Sequence, residues 1–423
     1  MTPTPSPEAM TSSRGTNAYL LALLTFASTI SFVDRYMLAA LVQPVKADLG
    51  LSDTQIGLLT GFAFSAIYAL FGLPMARLAD RGQHRHVIIG SLAVWSAMTA
   101  LCGAAGSFVT LAMARFGVGA GEAGALPASQ ALLAQRFPPH RRNLALAVLG
   151  CSGPVGLLIA FLSGAMLEAH LGWRLTFVAV SVPGAILALV FWLTIAEPGK
   201  VVAPTTGRPR LNAMGVLLRN PAFRNIALAQ AGLALLMFGQ AQWLPAFFER
   251  SFALPRIQVG PMLALTNGLA AILGMVVGGV AADRLAARNP QWPIRIALGS
   301  LCLAIPAVLA LYLTTSPGWG FAYAALMGFC LSAPGGPLFA LVQGLVPNEY
   351  RATAAATSAL CAAFIGLGAG PLIIGVVSDS LTPSLGAQSL RYALLLTVGV
   401  VLPWCLFHFF RVGRLQSLGF SLS

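Results

Sequence analysis

The sequence predicts an all-α membrane protein of twelve transmembrane helices in two pseudo-symmetric six-helix bundles. Composition, the recurrence of long apolar runs and a repeat between the two halves carry that prediction. Of 423 residues, 57% are hydrophobic and only 9% are charged, against about 25% charged in an ordinary soluble domain. So little polar surface cannot cover the cores such a chain would need in water. The 44 glycines and 27 prolines suit membrane helices that pack closely and bend.

Crossing a hydrocarbon layer of ~30 Å takes about 20 apolar residues in a helix. Runs of that length are expected at 17–45, 53–78, 86–106, 109–136, 142–168, 172–195, 222–248, 257–283, 291–314, 317–346, 351–379 and 389–411. The one long polar stretch, 197–220, holds Pro198, Pro204, Pro209, Lys200, Arg208 and Arg210 and divides the spans six and six. It reads as a linker between bundles at 17–196 and 221–412. Residues 1–16 read as a disordered N-terminus and 413–423 as a tail. The polar, Pro- and Ser-rich start lacks the apolar core and small-residue cleavage site of a signal peptide.

The formal net charge of +13 invites a nucleic-acid reading, which the placement of the charges excludes. Of the 25 Lys and Arg, 18 fall at the N-terminus, the even-numbered connections and the C-terminus. Five (Lys46, Arg174, Arg250, Arg256 and Arg391) fall in the odd-numbered connections, and two, Arg35 and Arg115, lie inside spans. This bias predicts that both termini and the linker face the cytoplasm, and no nucleic-acid partner is expected.

The halves echo each other. Gly72-Leu-Pro-Met-Ala-Arg-Leu-Ala-Asp80-Arg81-Gly82 after span two is answered by Gly278-Gly-Val-Ala-Ala-Asp283-Arg284 after span eight. Gly153-Pro154 in span five is answered by Gly370-Pro371 in span eleven. Parallel six-helix repeats around a central site are a transporter architecture. Asp80, Arg81, Asp283 and Arg284 are therefore expected to latch and release a gate, with an ordinary loop ion pair as the alternative. The Gly-Pro elements, inside spans five and eleven, are expected to act in gating as well.

Four charged side chains fall well inside spans: Asp34 and Arg35 in span one, Arg115 and Glu122 in span four. Each costs about 2.5–3.5 kcal/mol at a helix centre unless it faces a cavity or pairs. Arg115 and Glu122 stand two turns apart on one face, so pairing across to span one is expected, for example Asp34 with Arg115. Carboxylates beside arginines in an apolar cleft are candidates for proton coupling, which makes Asp34 and Glu122 the coupling candidates. A static ion network is the alternative. The run Gly117-Val-Gly119-Ala-Gly121-Glu122-Ala-Gly124 lets a facing helix approach, and it is no phosphate cradle, since no strand precedes it. Gln230, Asn267 and Gln343 are candidates for the opposite wall of a substrate cavity, facing Arg35 and Arg115.

The six cysteines lie in apolar spans without CxxC spacing, as small packing residues do. No His/Cys/carboxylate cluster, hydrolytic triad or nucleotide-binding loop is evident. No metal, cofactor or catalysis is expected, and transport is not driven by ATP within this chain.

The Asp80-Arg81-Gly82 loop, the glycine-rich Arg115 helix and the six-plus-six plan resemble the major facilitator superfamily. The closer likeness is to Spinster-like sphingolipid and lysolipid transporters. Phe32-Val-Asp34-Arg35-Tyr36, Asp48-Leu-Gly-Leu-Ser-Asp-Thr-Gln-Ile-Gly57 and Arg115-x-x-x-Gly119-x-Gly121-Glu122-Ala carry it. The Gly150, Gly153, Pro154, Gly156 element matches the superfamily's antiporter motif in part. The resemblance implies a bacterial inner-membrane carrier, functional as a monomer, of sphingosine-1-phosphate-like or lysophospholipid molecules, with proton coupling in some members. Asp34 and Glu122 would then couple or gate, while Arg35 and Arg115 would meet a phosphate. A drug/proton antiporter and a symporter of small organic acids are the rival readings.

Overall fold

The computed structural model describes residues 7–80, 82–195, 213–286, 288–344, 346 and 351–417. Among them there is no strand. Among the described residues, nine helices are long and apolar enough to cross a membrane. Two of these, Val148–Thr194 and Thr357–Gln416, each hold two spans. In the first, Gly172 at φ 71° turns the chain, a left-handed conformation that glycine adopts without a Cβ penalty. Span four, Phe108–Arg136, is the twelfth. Arg115 and Glu122 lower its mean hydropathy, so apolarity alone does not mark it.

Span one is the helix Pro7–Ala40, which begins ten residues before the predicted start. A short helix, Val42–Leu49, follows and is stopped by Gly50 at φ 63°. Span two then starts on a capping box, with the Ser52 hydroxyl accepting from the Gln55 N–H and the Gln55 side chain accepting from the Ser52 N–H. Spans two, eight and eleven each contain a π-helical stretch, at Leu58–Phe62, Ala264–Gly268 and Ala362–Ala369. Such stretches insert a residue into the helical ladder and cluster at functional sites. Those of spans two and eight sit near the start of each span, a structural counterpart to the sequence repeat. Span ten breaks after Ser332, with Gly335–Gly344 resuming as a separate helix, because Pro334-Gly335-Gly336 cannot sustain the ladder. Part of the expected linker is helical: Ala213–Arg219 packs its Leu217 out of solvent, and Asn220 caps the next helix at Pro221.

The chain folds into two compact units. The first comprises residues 1–35, 67–160 and 171–204. Its core gathers Leu24, Leu92, Trp95, Leu132, Leu133 and Phe191. Lipid tails are as apolar as these side chains, so close packing rather than water exclusion holds such helices together. Spans three and four show how: a Cβ on Gly121 would sit 2.6 Å from the Trp95 backbone nitrogen, and one on Gly117 would strike Met98.

The second unit comprises residues 36–66, 161–170 and 205–423. It therefore crosses the predicted boundary between bundles, taking the end of span one, the start of span two and the end of span five along with the whole second half. Gly57 and Gly61 of span two lie against the backbone of Pro371 and Gly368 in span eleven. Phe247, Phe248 and Tyr312 form its aromatic core, with Phe247 edge-on to both neighbours at 5.4 and 5.0 Å. Large apolar residues such as Leu193, Leu313 and Val400 remain more than 60% exposed, as lipid-facing positions do.

Candidate functional site

Within the first unit, spans one and four meet through their charged residues. The predicted cross-pairing is present. Arg115 Nη1 lies 3.7 Å from Asp34 Oδ1, and both side chains are buried. Thr99 of span three donates its hydroxyl to Asp34 Oδ2 at 2.8 Å. Arg35 Nη2 donates to Glu122 Oε2 at 2.5 Å. The spacing explains the arrangement: Arg115 and Glu122, two turns apart on span four, each reach a different one of two adjacent residues on span one.

The two pairs differ in access. The Arg115 side chain has no exposed surface, whereas that of Arg35 keeps 13%. The Arg35 guanidinium lies 4.9 Å from the Phe32 ring and 5.6 Å from that of Tyr68, within range for cation–π attraction. It lines a cavity of about 40 Å³ with Ser28, Ser31, Tyr68, Glu122 and Ser129. That volume holds two or three waters and not an acyl chain. The second Glu122 oxygen, Oε1, is buried and accepts no hydrogen bond from the described residues.

The other predicted site residues are dispersed. Gly153 faces the Phe32 ring, 3.5 Å from where its Cβ would be. In the second unit, the Asn267 amide donates to the Ala324 carbonyl at 2.9 Å, bridging spans eight and ten over Gly328. This is a packing contact. Gln230 has a buried side-chain oxygen without a hydrogen-bond partner among the described residues. Pro371 presents its carbonyl to the Trp243 indole N–H at 2.9 Å, and Gly370 lies against Leu235 and Gly239 of span seven. Asp283 and Arg284 are exposed and form no ion pair with a described residue. Arg81 and the side chains of Asp80 and Gln343 lie outside the described residues. No group of three or more His, Cys, Asp or Glu able to hold a metal occurs among the described residues.

Sequence reasoning missed two neighbours of these charges. Thr99 and Tyr68 carry no pattern that distinguishes them from other polar residues in spans. Asp53 and its partners in the second unit were legible only as loop charges, although Asp53 lies inside the Asp48–Gly57 motif.

The Major Facilitator Superfamily model matches residues 24–371. An MFS-type efflux pump of Mycolicibacterium smegmatis is 36% identical over 393 residues, covering 90% of this chain and 89% of that protein. Mouse (Mus musculus) Protein spinster homolog 1 is 24% identical, covering 88% of this chain and 75% of that protein. Among solved structures, a bacterial homologue of the human lysosomal transporter Spinster, inward-facing and unoccupied, superposes with a TM-score of 0.86. It is 27% identical and covers 96% of this chain and 98% of that one. With twelve spans, a six-helix repeat and paired charges inside the membrane, the chain belongs to the major facilitator superfamily, a family of multi-pass membrane transporters.

Proposed function

We infer that the protein is a proton-coupled carrier of amphipathic organic anions, of the lysophospholipid or sphingosine-1-phosphate class, working by alternating access. The observation that carries this reading is the difference between its two intramembrane pairs. Asp34, Arg115 and Thr99 form a closed, buried set. Arg35 lines the cavity and holds Glu122 through one oxygen only. An anionic head group reaching Arg35 competes with Glu122 for the same guanidinium. A proton taken at the unbonded Oε1 of Glu122 weakens that pair and releases Arg35 to the anion. Proton and anion are thus linked at one arginine, by mutual replacement of charge. The serine and aromatic lining beside Arg35 suits an anionic head group, and the cavity of about 40 Å³ has to widen during the cycle before an apolar tail can follow. The charge bias of the connections supports a cytoplasmic placement of both termini, the bacterial inner membrane is the location that goes with this reading, and one chain contains every part this cycle uses.

Proteoliposome flux of a lysophospholipid, with and without a pH gradient, tests the reading. Wild type is expected to show gradient-stimulated flux. Glu122→Gln is expected to retain downhill exchange and lose the stimulation. Gradient-stimulated flux that survives Glu122→Gln removes the coupling role.

A second reading, drug/proton efflux, is favoured by the full-length similarity to the M. smegmatis pump. It predicts competition by lipophilic cations and tolerance of Arg35→Gln, whereas anion transport requires Arg35.

A further inference from the structure

Five bases depart from the charge bias by sitting in odd-numbered connections, and three of them, Lys46, Arg250 and Arg256, converge in the second unit. Asp53, at the first turn of span two, is 1% exposed as a side chain. Its carboxylate is filled. Arg250 donates both terminal nitrogens in a fork, Nη1 to Oδ2 at 2.7 Å and Nη2 to Oδ1 at 2.8 Å. Lys46 donates to Oδ1 at 2.5 Å and the Ser378 hydroxyl to Oδ2 at 2.7 Å. In return, Asp379 of span eleven accepts the backbone N–H groups of Asp53 at 3.0 Å and Thr54 at 2.7 Å, a carboxylate on the positive end of span two. A second clasp lies nearer solvent. Arg256 donates to Glu168 at 2.8 Å and to Glu249 at 3.1 Å, beside an open cavity of about 530 Å³.

The division of charge between the sequence halves is consistent. The two acids that pair with arginines across the halves, Asp53 and Glu168, come from the first half. Both arginines, Arg250 and Arg256, come from the connection between spans seven and eight. In alternating access one repeat moves against the other around a central site, so these bonds close the end of the pathway where odd-numbered connections lie and must break when that end opens. We propose that Asp53–Arg250, reinforced by Asp379 on the start of span two and by Glu168–Arg256 at the rim, is the latch of this gate. The bidentate fork and the burial of Asp53 make the inner clasp the strong one. The partly exposed rim clasp is weakened by water and salt. This assignment rests on these contacts and on family membership, and stands whatever the substrate or coupling ion.

Hydrogen–deuterium exchange on the full-length protein in nanodiscs, read by mass spectrometry without ligand, tests it. Asp53→Asn is expected to raise exchange about tenfold in peptides covering 42–57 and 250–258, as a biased two-state equilibrium requires. It is also expected to protect the opposite ends, in peptides covering 133–147 and 284–295. Arg250→Lys, which keeps the charge and loses the fork, should move both ends in the same direction and supplies the test if Asp53→Asn does not fold. The double variant Asp53→Asn/Arg250→Gln should exceed neither single change, because one broken pair leaves nothing further to break. Unchanged exchange, faster exchange at 42–57 without protection of the opposite ends, or additive effects in the double variant would each overturn the latch.

Discussion

Asp34→Asn and Arg115→Met, alone and together, measure whether the deeper intramembrane pair is an ion pair in energetic fact. Arg115 Nη1 and Asp34 Oδ1 are 3.7 Å apart. With an effective dielectric constant of about 20, two unit charges at that distance attract by about 4 kcal/mol. Desolvation of both groups has already offset much of that gain in the native protein, so the pair adds little net stability. Removing one partner is different, since it leaves the other charge buried without compensation, at a cost of about 3–5 kcal/mol. The long separation puts each single variant near ~3 kcal/mol. Asn at position 34 still accepts from Thr99, which trims that variant further. Removing both charges leaves two neutral side chains and should cost only about 1 kcal/mol. The expected coupling, the two single costs less the double, is therefore about 4 kcal/mol, read from reversible unfolding in mixed detergent–SDS micelles by tryptophan fluorescence. Additivity within about 0.5 kcal/mol would refute the pairing as the reason these two charges are tolerated in the spans.

Gly121→Leu should displace span three, because a Cβ there already meets the Trp95 backbone, and overpacking costs about 1–3 kcal/mol. Gly90→Leu, in open space on the same helix pair, should be neutral, and the monodisperse fraction after detergent size-exclusion chromatography compares them. Ser52→Ala removes the cap of span two at about 1 kcal/mol, and faster amide exchange confined to 53–57 is the expected signature.

The twelve spans, the repeat and the two charged pairs were legible because each rests on a cost paid within one segment. A charge in a span is conspicuous wherever its partner lies, so Asp34, Arg35, Arg115 and Glu122 could be matched by spacing on two helices. Asn267 shows the limit of that logic. A lone amide in a span can face a cavity or a neighbouring carbonyl, and the absence of a side chain at Gly328 decides for the carbonyl of Ala324. The π-helical stretches were illegible for a related reason: an inserted residue preserves composition and hydropathy and alters only the facing of residues beyond it. The boundary between compact units escaped prediction because it depends on which ends of spans two and five pack against spans seven, eight and eleven.

Asp53 escaped for a subtler reason that the charge bias itself contains. Eighteen of the 25 bases sit on the side that insertion favours, and topology alone accounts for them. The other seven oppose the bias or lie inside spans, and each therefore needs a separate physical reason to be there. Arg35, Lys46, Arg115, Arg250 and Arg256 supply the bases of all six ion pairs described above. Arg174 donates to the Ala105 carbonyl and lies 4.2 Å from the Trp173 ring. Arg391 lies over Phe247 and Phe252. Every exception is thus engaged by a carboxylate, a carbonyl or an aromatic face. In a chain with only twelve acidic residues, the bases on the unfavoured side are the ones that repay attention first. Their acidic partners then follow by proximity: Asp34 and Glu122 inside the membrane, Asp53 and Glu168 at the gate.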